Sequence, residues 1–310
     1  MGRIFGEPFG DTSAVPTFAV CALASRHAKV AVSGDGGDEV LGGYRRYQWH
    51  RMTEAVRAWL PAGVRRHVVG QLARIYPKMD SAPRWLRAKY TLTELSLDSA
   101  LSYFRMVTKV HHETRRALFA PAVLAELDGY DPGARIQAAM DSVDDRDPLR
   151  QAQVADIDTY LVGDILTKVD RASMANSLEV RAPLLDHRFV EWGLGLPPAL
   201  KLHRGTGKYV FRRAMEDRLP AELLYRPKQG FATSLAGLFR ANAGALRTRL
   251  QGQRMQDCGL FRASTITRLL DEHDTGRIDH SHVLWLLLVF EGFLHAQHTT
   301  PAPAAEPALV

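Results

Sequence analysis

The sequence predicts an α/β protein, predominantly helical, built on a parallel sheet, and three features carry that reading. Val30-Ala31-Val32 is a short, β-branched apolar run, the pattern of a strand buried on both faces. A glycine-rich turn and a helical stretch follow it, the layout that puts ligands at the carboxyl end of a parallel sheet. Glu179-Val180-Arg181 alternates as an extended segment, and most of the remaining chain shows helical apolar spacing punctuated by proline and glycine.

In chain order, Pro16 suits the first turn of a helix, and Phe18, Cys21, Ala22 and Ser25 give Thr17 to His27 a helical pattern that leads into the strand. Trp49, Met52, Val56 and Trp59 recur at i, i+3, i+7 and i+10, which predicts a core-facing stripe ended by Pro61. Tyr90 to Val110 reads as a helix or helix pair, and Pro121, Asp131-Pro132-Gly133 and Asp147-Pro148 mark breaks. The acidic run Asp141 to Asp147 reads as a solvated loop. Residues 156–175 fit a helix with Leu161, Ile165, Leu166, Val169 and Ala172 on its apolar face. Asp164, Lys168 and Arg171 share a polar stripe on it. Pro183 forbids further helix, and Asp186 is a cap for one at 187–194. Lys208 to Leu219 reads as a basic helix stopped by Pro220. The strongly apolar Asp279–His298 helix is expected in the core, and the 299–310 tail is expected to be disordered.

The chemistry concentrates in Ser33-Gly34-Asp35-Gly36-Gly37-Asp38-Glu39. Its glycines let the backbone approach a ligand closely. Three carboxylates within five residues are unfavourable unless water, a cation or a helix N-terminus offsets them. Spacing alone permits two readings, a ligand loop or a solvated turn whose acids cap the next helix. An EF-hand fails because the carboxylates do not alternate as required and no Glu closes a twelve-residue loop. A Walker A loop fails because no Gly-Lys-Ser/Thr follows. A second candidate is Arg226-Pro227-Lys228-Gln229-Gly230-Phe231. There a rigid Pro and a mobile Gly flank a compact ammonium suited to swinging over a phosphate.

Composition narrows the class. Forty Lys+Arg against 34 Asp+Glu give a net charge of +6, dispersed in pairs such as Arg45-Arg46. That suits anionic small molecules better than nucleic acid, which favours a concentrated basic patch. Two distant cysteines, Cys21 and Cys258, exclude a disulfide framework and fit a reducing cytoplasm. The histidines show no ligand spacing; His280 and His282 point to different helix faces. The longest apolar run, Val283 to Phe290, is far short of the ~20 residues a bilayer span needs. The chain reads as cytoplasmic, with no membrane partner.

The acidic loop, followed by Gly42-Gly43-Tyr44, resembles the second nucleotide-site motif of the glutamine-hydrolysing asparagine synthetase family. Glu7-Pro8-Phe9-Gly10-Asp11-Thr12-Ser13-Ala14-Val15-Pro16-Thr17 resembles the family's stretch just before that loop. Lys168-Val169-Asp170-Arg171-Ala172-Ser173-Met174-Ala175, then Leu178-Glu179-Val180-Arg181 with Pro183 and Leu185-Asp186, resembles its C-terminal synthetase domain. Arg226, Lys228, Gly230 and Phe231 match its nucleotide-covering loop, although Thr233-Ser234-Leu235 departs from the family's Pro and Trp.

The resemblance implies the C-terminal part of an adenine-nucleotide-hydrolase-like (ATP pyrophosphatase) parallel-sheet domain over residues 1–298. It implies ATP and Mg²⁺ as cofactors, with aspartate or a similar carboxylate and ammonia from glutamine as substrates. Lys228 and Asp35 would be catalytic, Ser33 and Gly34 would meet ATP, and Asp38 would bind the metal. Glu39, Asp170, Arg171, Glu179 and Arg181 would shape the substrate pocket, the last four as a buried ionic network. The family's glutaminase domain and its Ser-Gly-Gly-x-Asp-Ser pyrophosphate loop do not occur in these 310 residues. The expectation is therefore a fragment, a split protein whose partner chain supplies both, or a degenerate paralogue. The alternatives beside it are β-lactam ring closure and amidation of another carboxylate, and a homodimer is a further option.

Overall fold

A computed structural model describes residues 2–76, 88–226 and 235–299. Among the described residues the sheet has two parallel strands, β1 (Val30–Val32) and β2 (Glu179–Arg181), in the register Val30↔Glu179, Ala31↔Val180 and Val32↔Arg181. Ser33 N–H donates to Arg181 O at 2.8 Å and carries the pairing one residue into the loop. The rest is helical. The result is a mostly helical chain with a small parallel sheet, consistent with an α/β synthetase domain.

One face of the sheet is covered. The Ala14–Ala24 and Thr167–Met174 helices pack on each other, and Cys21, Ala172 and Leu178 form a small core with Ala31 and Val180. The opposite face is open: Val30 is 42% and Val32 is 74% exposed. This corrects the expectation of a strand buried on both faces. A run of three apolar residues does not say how many layers cover it.

The Arg45–Trp59 helix is a second correction. It ends ahead of Pro61 as expected, but the i, i+3, i+7, i+10 stripe faces outward, and Trp59 is 88% exposed. The buried face is Tyr47, His50, Thr53 and Arg57. Part of this face is tied down: Tyr47 O–H donates to Asp156 Oδ2 at 2.6 Å, and Arg57 donates to Glu94 O and Leu97 O, while the ring nitrogens of His50 make no hydrogen bond among the described residues. A hydrogen-bonded polar face can be buried in place of an apolar one.

Residues 148–174 form one rod in three parts, Pro148–Ala155, a π-helical Asp156–Leu166 and Thr167–Met174. Asp147 caps it, its Oδ1 accepting from Leu149 N–H at 2.9 Å and Arg150 N–H at 3.2 Å. The π segment has a geometry frequent at functional sites, and the expected surface stripe is split. Lys168 is buried and Asp164 half-buried, while Arg171 stays outside. Asp186 caps the His187–Gly195 helix as expected, its Oδ1 accepting from Arg188 N–H. Ala88–Ser96 and Ser99–Val107 make the expected pair. The apolar Ser281–Thr299 helix buries Val283, Leu284 and Leu287 in a separate C-terminal core with Leu269 and Leu270. No helix of the described residues is long and apolar enough to cross a membrane. The expected tail, Thr299 apart, lies outside the described residues.

The acidic loop leads into a five-residue helix, Gly37–Leu41, seated on the backbone of His187–Gly195 at Gly193. A Cβ on Gly193 would lie 2.2 Å from Val40 Cγ1. Gly193→Ala should therefore overpack this contact and lower stability by about 1–3 kcal/mol, read as a reduced urea midpoint with unchanged slope. An unchanged midpoint would mean that the short helix is not pressed against Gly193.

Candidate functional site

The loop after β1 has an open side and a buried side. Ser33 Oγ is buried and, among the described residues, has no hydrogen-bond partner. Gly34 is exposed, with open space where a side chain would be. Asp35 is partly exposed beside it. Gly36 holds φ +83 under Leu185, a conformation L-residues rarely adopt. Asp38 points to the same region, its Oδ1 lying 3.2 Å from Lys208 Nζ. A Cβ on Gly43 would fall 1.9 Å from that carboxylate oxygen and 2.5 Å from Lys208 Cε, so glycine there is what lets the pair form.

Glu39 points the other way. It is 1% exposed and accepts from Tyr44 O–H at 2.6 Å. Burial raises its pKa, opposed by the Tyr44 bond, and the nearby Asp38 and Asp156 charges push in the same direction as burial. The guanidinium of Arg46 lies 3.8 Å over the Tyr44 ring and 4.7 Å over that of Tyr160. It also pairs with buried Asp156 at 2.7 Å. Glu39 is thus sealed behind the loop, among Tyr44 and the Arg46–Asp156 pair.

Tyr160 leads from this group to another. Asp11 Oδ2 accepts from Lys168 Nζ at 2.8 Å and from Ser13 Oγ at 2.5 Å. Burial works to raise the Asp11 pKa, but the Lys168 and Ser13 hydrogen bonds hold it below the ordinary carboxylate value. Asp164 shows the reverse. Burial first, and the neighbouring Asp11 carboxylate second, push it up to about 7, with Lys168 opposing. Tyr160 is itself raised to about 12, chiefly by burial and then by Asp164. A carboxyl group poised near neutrality between a carboxylate and an ammonium can give or take a proton at working pH.

The expected ionic network does not form. Arg171 and its neighbour Asp170 are 4.0 Å apart, Arg181 and Glu179 are 2.8 Å apart, and each of the four side chains is more than half exposed. Asp170 and Arg171 lie on the outer side of the rod. Glu179 and Arg181 share the open side of the sheet with Val30 and Val32, because alternate residues of paired strands face the same way. Lys228 lies outside the described residues, as does the rest of 227–234. Two residues that sequence reasoning missed are brought in, Lys208 at Asp38 and Asp11 at Asp164 and Lys168. The Asp11 partners are 157 positions apart, beyond the reach of any local pattern. The family-like stretch that contains Asp11 was the available signal.

The donor set bears on a metal. Among the described residues no group of three or more His, Cys, Asp or Glu is arranged to hold an ion. Asp38 is the carboxylate on the open side, but it is paired with the Lys208 ammonium, which a divalent ion taking one carboxylate and phosphate oxygens would have to displace.

The chain belongs to the asparagine synthase family, which matches it over residues 1–297. A Mycobacterium tuberculosis (strain H37Rv) protein, provisionally named a glutamine-hydrolysing asparagine synthetase, is 34% identical over 310 residues, covering 97% of this chain and 45% of the relative. The glutamine-hydrolysing asparagine synthetase 1 of Bacillus subtilis (strain 168) is 27% identical over 286 residues, covering 92% and 43%. That of Gallus gallus is 36% identical over 100 residues, covering 31% and 18%. The chain thus spans less than half the length of these relatives.

The Asp164 environment has a stability consequence. Its folded pKa of about 7 stands above the ordinary 3.8, so its contribution is full below about pH 3.8 and is lost as pH rises through 7. Asp164→Asn, a neutral mimic of the protonated acid, should flatten the fall in Tm between pH 5 and 8. Parallel Tm-against-pH curves for the two proteins would show that Asp164 is already ionised at pH 5.

Proposed function

We propose that this chain is the C-terminal part of the synthetase domain of an ATP-dependent amidotransferase that forms an amide from a carboxylate, with aspartate to asparagine as the leading case. The observation that carries it is the loop at the end of β1, where an orphan Ser33 hydroxyl, open backbone at Gly34 and the Asp38–Lys208 pair lie together in an asparagine synthase family chain. The two strands would belong to a larger parallel sheet of the adenine-nucleotide-hydrolase-like type, and the protein would work in the cytoplasm.

In this reading an oxygen of the acceptor carboxylate attacks the α-phosphorus of ATP. Pyrophosphate leaves, and ammonia displaces AMP from the acyl-adenylate. Ser33 and Gly34 lie against the nucleotide. Asp38 would hold Mg²⁺, which offsets phosphate charge when bound. Lys208, released from Asp38, and Lys228 supply the donors that a developing phosphate charge needs. Asp35 takes the proton that ammonia loses on attack. Glu39 acts as a wall of the substrate pocket. Glu179 and Arg181 would line it only if a further layer covers the open side of the sheet, and Asp170 and Arg171, on the outer side of the rod, lie away from it. Val32 on that side, with parallel strands that otherwise face solvent, supports such a layer, contributed by a polypeptide that also carries a pyrophosphate loop.

The test is aspartate-dependent exchange of labelled pyrophosphate into ATP. We expect none from the 310 residues alone and recovery when a polypeptide bearing the pyrophosphate loop is joined or added. Exchange by the chain alone would mean that the nucleotide site is built otherwise, and no exchange with any acceptor acid in the completed protein would refute the synthetase reading. In the completed protein, Lys228→Ala should cut kcat/KM by roughly two orders of magnitude or more, and Lys228→Arg should not restore it. Asp38→Asn should abolish turnover while leaving Tm nearly unchanged; normal turnover would remove Asp38 from the metal role.

A further inference from the structure

We propose that Gln153 and Lys201 are positioning residues that set the acidic loop against the rest of the site by holding the backbone of the Gly37–Leu41 helix. The proposal rests on the reading of Asp38 as a site carboxylate, but its geometry does not. A five-residue helix is too short to be stable by itself, and its last four carbonyls have no partner within it. Here every one of the four is answered. Asp38 O accepts from Gly43 N–H at 2.8 Å, and Leu41 O accepts from Lys208 N–H at 3.2 Å. Glu39 O and Val40 O both accept from the same amide, Gln153 Nε2, at 2.5 Å and 2.8 Å.

The amide can do this in one orientation only. Carbonyls accept and an ammonium donates. Gln153 Oε1 accepts from Lys201 Nζ at 2.9 Å, which leaves Nε2 for the two carbonyls. Gln153 is fully buried and Lys201 is 1% exposed. Lys201 Nζ donates onward to Leu194 O at 3.1 Å, near the carboxyl end of the His187–Gly195 helix, where a cation is favoured. A buried ammonium whose two acceptors are neutral oxygens is a costly way to fill space, and an apolar side chain would fill it more cheaply. What the lysine adds is direction: it fixes which end of Gln153 faces the loop.

Gln153 stands in the Pro148–Ala155 part of the rod, whose π segment carries Asp156, Tyr160 and Asp164. The strut therefore couples the backbone under Asp38 and Glu39 to the element that bears Asp164. It sets the spacing of the two halves of the site without touching a ligand.

Hydrogen exchange on the full chain tests this, comparing amides of 37–43 with those of the distant Ala263–Asp274 helix. Gln153→Glu keeps the shape and the contact to Lys201 but turns an oxygen toward two carbonyls. It should speed exchange at 37–43 roughly tenfold or more, leave Ala263–Asp274 unchanged, and weaken Mg²⁺–ATP binding, read by calorimetry, by a similar factor. Lys201→Met, which keeps most of the buried stem, should produce the same local pattern. Unchanged protection at 37–43, or acceleration in both segments together with a matching fall in Tm, would overturn the proposal and leave an ordinary buried polar pair. Local acceleration, with no Mg²⁺–ATP binding by the wild type even when joined to a polypeptide bearing the pyrophosphate loop, would uphold the positioning and refute the nucleotide reading.

Discussion

Five residues of helix, Gly37–Leu41, carry the two carboxylates that divide this site into an open side and a buried one, and that helix is held almost entirely from outside. Asp38 and Glu39 are adjacent, so they leave the helix in different directions. One meets Lys208 on the open side, and the other is sealed against Tyr44. Glycine allows two close approaches here: Gly43 beside the Asp38–Lys208 pair, and Gly193 beneath Val40. Asp38 stays partly exposed, and Glu39 is buried.

Around this helix the polar interior forms a chain of contacts rather than a set of isolated pairs. Arg46 joins Asp156 to the rings of Tyr44 and Tyr160, and Tyr160 stands between Glu39 and the Asp11–Asp164–Lys168 group. Opposite charges in that group pull two neighbouring carboxyls apart in pKa. Asp11 is kept ionised by Lys168 and Ser13, and its charge helps to keep Asp164 protonated up to about 7. Such a split is what lets one small region hold both an acid and a base.

Features set by local chemistry were legible in the sequence. Asp186 caps the next helix as read, and the break read at Asp147-Pro148 is where the rod begins. The strand, glycine turn and helix at 30–41 follow the expected order. Features set by distance were not. Nothing near Gln153 in the sequence indicates that it meets Glu39, 114 positions away. Hydropathy chose the wrong face of Arg45–Trp59 because the buried face is polar, with Tyr47 and Arg57 finding partners elsewhere in the chain. The α-helical period put Lys168 on one polar stripe with Arg171, but Lys168 is drawn inside by Asp11 while Arg171 stays outside. The buried ionic network failed for a simpler reason. Asp170 and Arg171, like Glu179 and Arg181, find their partners one or two residues away and remain on open surfaces.

The most direct test of the central claim uses Mn²⁺–ATP as a paramagnetic probe of the amide resonances of the full chain. If the loop at the end of β1 is the nucleotide site, broadening should centre on Ser33 to Asp38 and on Lys208. It should require the nucleotide, and Mn²⁺ alone should produce little at the same concentration. Broadening centred elsewhere, or equal broadening by Mn²⁺ without ATP, would contradict the account.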